Sequence, residues 1–318
     1  MSISGAPSAV QGIFALDIVT ASLAFICLLV SILLTVRAFE LRSRNRNYDR
    51  VSQATPRHSP LGTFAFLLPG LALLCLAYSV VAATTALQHD GSSPIDITPA
   101  YGYDYPAASE SSQASRVTSR LSFVHAFALI LYSTLLTAAV WLHSSHVTSN
   151  GLGVGAPSLG DWIWNMFILA AILGTGLASW GQAISVRDAA QGYGSVMQAD
   201  SSSRALYVAF RCTVIAASTS VSVEVAKKYR KVNANGPPSS SGRPILARLV
   251  FYAVPIWALR NVFLIMDIAM AYTSAEEWSM ATRQALAFLL IILGQIADLA
   301  IFVIVTWGAW TMGRVARW

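Results

Sequence analysis

The sequence predicts an all-α membrane protein, a bundle of seven transmembrane helices with its N-terminus outside and its C-terminus inside. Three observations lead there. Of the 318 residues 55% are hydrophobic and only 11% charged, against about 25% charged in ordinary soluble domains. The apolar residues fall into seven runs, each long enough to cross a bilayer core roughly 30 Å thick. The basic residues gather in alternate connecting segments, the bias that orients spans with the positive side inward.

Windows of about 20 residues place the spans near 13–36, 61–87, 121–143, 162–184, 205–226, 245–272 and 284–308. No basic residue precedes the first run, and that run is too long for the core of a cleaved signal peptide, so it is expected to persist as a span. Pro69 in the second and Pro255 in the sixth each remove a backbone donor and should kink their helices. The third ends in WLHSSH, which puts His143 and His146 at a solvated helix end. In the fourth, Ala170, Gly174 and Ala178 recur every four residues, a small-residue stripe of the kind that lets helices approach closely. The fifth carries Arg211 and a Thr/Ser-rich second half; charge counting retains it, because without it the Lys227–Lys231 cluster would lie outside. Trp162, Trp164, Trp278 and Trp318 fall near span edges, where Trp commonly anchors a helix at the interface.

With an outside N-terminus, 14 Lys and Arg residues lie in inner segments and 5 in outer ones. The net charge of +6 therefore reads as contact with anionic lipid, not nucleic acid. The outer loop 88–120, with Tyr101, Tyr103 and Tyr105, is too poor in apolar residues to fold alone and reads as a flexible cap. The inner loop 227–244 reads as a basic flexible linker. The third loop, 144–161, has no Lys or Arg and reads as a neutral hinge containing Gly151, Gly153, Gly155 and Pro157. Cys27, Cys75 and Cys212 all lie within apolar runs, so they read as small buried hydrophobes with no loop disulfide framework or zinc motif.

The sixth span, Leu249 to Tyr272, carries Arg260 and Asp267. A charge at the bilayer centre costs about 2.5–3.5 kcal/mol even on an insertion scale, so each needs a partner, water or a task. The two share a helix face but lie about 10 Å apart along the axis, too far for direct contact. Depth selects partners on neighbouring spans. Asp267 and Arg211 both lie roughly 8–9 Å below the outer edge, and Arg260 and Asp298 roughly 18–20 Å below it. The expected pairs are Arg211 with Asp267 and Arg260 with Asp298, with Gln295 one turn from the deeper pair. They either fix which helices are neighbours or line a polar cavity for a headgroup or small ligand between spans five, six and seven. Asp17 and His125 are placed near outer edges. No nucleophile with a base, no glycine-rich phosphate loop and no His-rich metal core is present, so the chain is expected to be neither an enzyme nor cofactor-dependent.

Arg260, Phe263 and Asp267, followed by Glu277-Trp278, resemble the Arg-x-x-Phe-x-x-x-acidic pattern and Glu-Trp of the fungal lipid-translocating exporter family, seven-span proteins linked to sterol-analogue resistance. The resemblance covers about 20 residues plus the topology. Leu264 stands where the family has a second Arg, the spacing to Glu-Trp differs, and SMATRQ replaces an aromatic-acidic segment. The resemblance implies a lipid or sterol ligand and a place in the plasma membrane. The alternative expectation is an orphan seven-span receptor or sensor, motivated by the Tyr-rich outer loop and the basic inner loop. Rhodopsin-like receptor motifs and a Lys in span seven are absent.

Overall fold

A computed structural model describes residues 8–52, 61–90, 113–151, 158–189, 193–235, 242–270 and 279–315. Among them every regular element is helical, and seven helices are long and apolar enough to cross a membrane. We label them α1 (Ser8–Ser52), α2 (Leu61–Asp90), α3 (Gln113–Gly151), α4 (Leu159–Ala189) and α5 (Tyr193–Asn235). The sixth, α6, is Gly242–Met270, and α7 covers 280–315. The outer loop with Tyr101, Tyr103 and Tyr105, the residues Gly153, Gly155, Pro157, Glu277, Trp278 and Trp318, and the linker segment 236–241 lie outside the described residues.

Consecutive helices pack side by side from α1 to α6, and α7 closes the ring by packing on both α6 and α1. The third helix also touches α5, α6 and α7, which puts it at the centre. The apolar window of α3 is 61% buried and that of α1 only 17%. A central helix can host polar residues only if each finds a partner. On α3, Thr134 and Thr137 donate to the carbonyls of Ile130 and Ser133, and Ser144 donates to that of Trp141, all at 2.8–2.9 Å. Apolar side chains such as Ile18, Phe25 and Leu33 on α1, Phe167 on α4 and Val262 on α6 face outward. In water such a surface would be an association liability, whereas hydrocarbon covers it.

Both of the last two helices are interrupted. Leu249–Ala253 in α6 and Leu290–Ile296 in α7 are π-helical, with wider turns that shift the register of the residues after them. Pro255 follows the first of these closely and has no N–H to give the preceding turn. Pro69 lies inside an uninterrupted α2. The start of α4 is capped reciprocally: the Asp161 N–H donates to Ser158 Oγ at 3.1 Å, and the Ser158 hydroxyl donates to Asp161 Oδ2 at 2.8 Å.

Several sequence expectations change. Helices run past the predicted spans, so residues assigned to span edges fall inside the bundle. His143 is completely buried against Gly308 of α7 and is not at a solvated end, and His146 is half-buried beside Gly62. Asp17 and His125 are likewise buried. The Ala170, Gly174, Ala178 stripe faces out of the bundle, with nothing within 4 Å of Gly174. The inward face of α4 instead carries Asn165, Ile168, Ile172, Gly176 and Ser179. Lys227–Lys231 belongs to the last turns of α5 and not to a linker. Cys212 is exposed, whereas Cys27 and Cys75 are half-buried.

Candidate functional site

Two clusters of identical composition, each an Arg, an Asp and a Tyr, occupy the interior around α6. The first joins α5 to α6. Tyr207 and Arg211 stand four residues apart on α5, so they share a helix face. The Tyr207 hydroxyl donates to Asp267 Oδ2 at 2.6 Å, and Arg211 Nε donates to the Tyr207 oxygen at 2.9 Å. The same Arg211 nitrogen lies 3.0 Å from Asp267 Oδ2. The guanidinium also sits over the Tyr207 ring, 4.9 Å from its centroid, where the ring face attracts a cation.

The second cluster joins three helices. Arg260 Nε of α6 lies 2.5 Å from Asp298 Oδ1 of α7, and Tyr132 of α3 donates to Asp298 Oδ2 at 2.9 Å. Asp298 Oδ1 has no aligned hydrogen bond, so the contact with Arg260 is held by charge more than by bond direction. Arg260 is 4% exposed and Asp298 1%. Burying an ion pair is expensive, and the attraction offsets that only where geometry is close and the remaining polar atoms find partners. Each tyrosine supplies such a partner to its carboxylate.

The structure thus brings together the two Arg–Asp pairs that depth counting selects, at residues Arg211, Asp267, Arg260 and Asp298. It does not add Gln295 to them. Gln295 is buried in the π-helical turn of α7 and lies within reach of Asp17 on α1. Its main-chain carbonyl accepts a bond from the Tyr78 hydroxyl of α2 at 2.8 Å. Tyr207 and Tyr132 were not foreseen. Tyr207 left a signal, four residues before Arg211; Tyr132 left none, because it comes from a helix distant in sequence. Phe263, between the two charges of α6, is buried with them.

A third polar group lies on the outer side of the α5–α6 seam. The Ser218 hydroxyl donates to Asn261 Oδ1 at 2.9 Å, and Asn261 Nδ2 donates to Thr219 at 3.4 Å. Asn261 follows Arg260 directly in α6, and it is half-buried where Arg260 is buried. On the neighbouring seam Trp164 donates to Ser220 at 3.1 Å. Toward the basic end of the bundle, Lys228 pairs with Glu224 at 2.5 Å and bonds to Ser144 and Ser145, while Asn165 donates to Glu224 at 3.0 Å. Among the described residues no group of three His, Cys, Asp or Glu side chains is placed to hold a metal ion. No family model, curated protein or solved structure matches this chain.

Proposed function

We propose that this multi-pass membrane protein handles an amphiphilic lipid or sterol, receiving its polar part at the α5–α6 seam beside Arg260. The observation that carries the proposal is the Ser218–Asn261–Thr219 ladder, which runs from buried Ser218 through half-buried Asn261 to exposed Thr219 between two membrane-length helices. Polar groups at that depth are costly unless they pair or serve a ligand. The apolar side chains around the ladder, Leu259, Val262 and Ile265, face outward and suit the ring system or chains of such a ligand. In the proposed orientation the N-terminus is outside, the basic segments face the cytoplasm and the protein resides in the plasma membrane. Asn261 then lies deep in the bilayer, where a hydroxyl or headgroup would need both a donor and an acceptor.

The test is transbilayer movement of a fluorescent sterol or short-chain lipid in liposomes containing the purified protein. Movement should exceed that in protein-free liposomes, and Asn261→Leu should weaken binding of the probe about tenfold, the effect of losing one or two hydrogen bonds. Rates equal to those of empty liposomes would overturn the proposal. A second reading, a receptor or sensor, is supported by the π-helical turns preceding Arg260 and within reach of Asp298, since such turns can change helix register. Capture of a signalling protein by the inner segments, with no lipid movement, would favour it.

A further inference from the structure

The α5–α6 seam has a second polar station, at the basic end of the bundle. Three contacts across the seam fix which residues face each other. Ser218 meets Asn261, Tyr229 stands edge-on to Phe251 with ring centroids 5.7 Å apart, and Arg243 Nη2 donates to Asn233 Oδ1. The last contact lies where α5 ends and α6 begins, at the edge of both membrane-length segments. Arg230 stands three residues before Asn233, and residues at that spacing are neighbours on a helix surface. Asn233 therefore holds Arg243 beside the face that carries Arg230.

Neither guanidinium is neutralised. Among the described residues Arg230 and Arg243 form no ion pair. Glu224, six residues before Arg230, is taken up by Lys228 and Asn165. Arg230 is exposed and Arg243 half-buried, and a guanidinium that has made one hydrogen bond keeps most of its donors. Two such groups a helical turn apart suit a phosphate, whose oxygens match the planar fork of N–H donors. A phosphate monoester carries a charge of about −1.5 to −2, which two arginines balance. The neighbouring surface is apolar: Phe251 and Tyr252 are 61% and 62% exposed, and Val223, seven residues before Arg230 on the same face, is 47% exposed. Acyl chains would cover that surface, and a phosphate free in solution would leave it bare.

We propose that Arg230 and Arg243, joined through Asn233, form a discrete binding site for the phosphate-monoester headgroup of an anionic membrane lipid, whose chains lie along Val223 and Phe251. The site does not rest on the handling of an amphiphile at Asn261, since Thr219 and Arg230 are about 16 Å apart along α5. It also differs from the general pull of basic segments on anionic lipid, which follows the number of charges. A discrete site depends on which charges are removed.

The experiment is calorimetric titration of the purified full-length protein, in neutral detergent, with short-chain phosphatidic acid. Saturable binding is expected, with phosphatidylserine of the same chain length, a diester, about tenfold weaker. Arg230→Gln and Arg243→Gln should each raise the Kd about tenfold, the loss of one charged hydrogen-bonding partner. Lys227 and Lys231 are exposed on the same turns, and changing both to Gln removes as much charge as the two arginine changes together but should alter the Kd by less than about threefold. Arg230→Gln removes no described contact, so it keeps the test decisive if Arg243→Gln unfolds the end of the seam. Equal losses from the arginine pair and the lysine pair would overturn the proposal in favour of a diffuse basic field. Equal affinity for phosphatidylserine would overturn the monoester assignment, and inorganic phosphate binding as tightly as phosphatidic acid would overturn the lipid assignment.

Discussion

The two Arg–Asp–Tyr triads contain the same chemistry, yet they are assembled differently. Tyr207, Arg211 and Asp267 come from two helices adjacent in sequence, and two of the three residues stand on one face of α5. Tyr132, Arg260 and Asp298 come from three helices, including α3, which is distant in sequence. In the first triad both donors converge on a single oxygen, Asp267 Oδ2. In the second, Arg260 approaches Asp298 Oδ1 while Tyr132 takes Oδ2. The first can therefore form once α5 and α6 pair, whereas the second requires the whole centre of the bundle. Buried ionic groups are best attested as devices that specify one arrangement among several, and here the deeper triad is the one that specifies α3, α6 and α7 together.

The largest expected effect comes from removing one acid at a time. Asp298→Ala leaves Arg260 buried without its partner and should cost about 3–5 kcal/mol of stability. Asp267→Ala should cost less, because by depth counting Arg211 lies closer to the membrane edge and can extend its guanidinium toward it. Thermal unfolding of the two purified variants compares them directly, and equal losses would erase the distinction between the triads. Replacing Arg260 and Asp298 together with Met and Leu should recover most of what the single change loses.

An intermediate effect should follow loss of the hydroxyls. Tyr132→Phe strips Asp298 Oδ2 of its donor and should cost about 1.5–3 kcal/mol, the range for a hydrogen bond to a charged group. Tyr207→Phe leaves Arg211 still facing the same Asp267 oxygen and keeps the ring under the guanidinium, so about 1 kcal/mol is expected. Denaturant midpoints of the pair provide the check, and a larger loss at Tyr207 would reverse the ranking.

An effect comparable to loss of the Tyr207 hydroxyl concerns how closely α3 approaches α7. A Cβ at Gly308 would overlap the His143 ring, so Gly308→Ala should cost about 1–2 kcal/mol by overpacking. It should also weaken the three-helix triad selectively. On α4, a Cβ at Gly176 would meet Ile130 and Phe210, at 2.6 Å and 3.1 Å for the nearest atoms, which should disturb α5 and hence the two-helix triad. Double-mutant cycles with Asp298→Ala and Asp267→Ala would show whether each glycine couples to its own triad, and uniform coupling would refute that assignment.

The legibility of these features follows their physical origin. Arg211–Asp267 and Arg260–Asp298 could be matched from sequence because an α-helix converts residue number into depth at 1.5 Å per residue, and a buried charge demands a partner at its own depth. His143 is buried and not at a solvated end, and Asp17 and His125 are buried as well: span edges were set by where hydrophobicity fades, while the helices continue for several residues and keep an inward face. The outward turn of the Ala170–Gly174–Ala178 stripe was equally unreadable: small residues permit close packing on whichever face a neighbour occupies, and the neighbours of α4 lie on the other side. The ladder from Ser218 to Asn261 carries no charge and leaves no comparable signal.

The sequence by itself determined that the chain forms seven apolar helices and that its interior charges must meet in pairs, because hydrocarbon penalises unpaired charge and unsatisfied backbone wherever they occur along the chain. Only the tertiary structure decided that α3 stands at the centre, that Tyr207 and Tyr132 complete the two triads, and that Asp17 and Gln295 converge between α1 and α7. Those facts depend on helix rotation and on π-helical turns at Leu249–Ala253 and Leu290–Ile296, which shift the facing of every residue beyond them. Rotation is set by packing among helices far apart in sequence, and no local pattern encodes it.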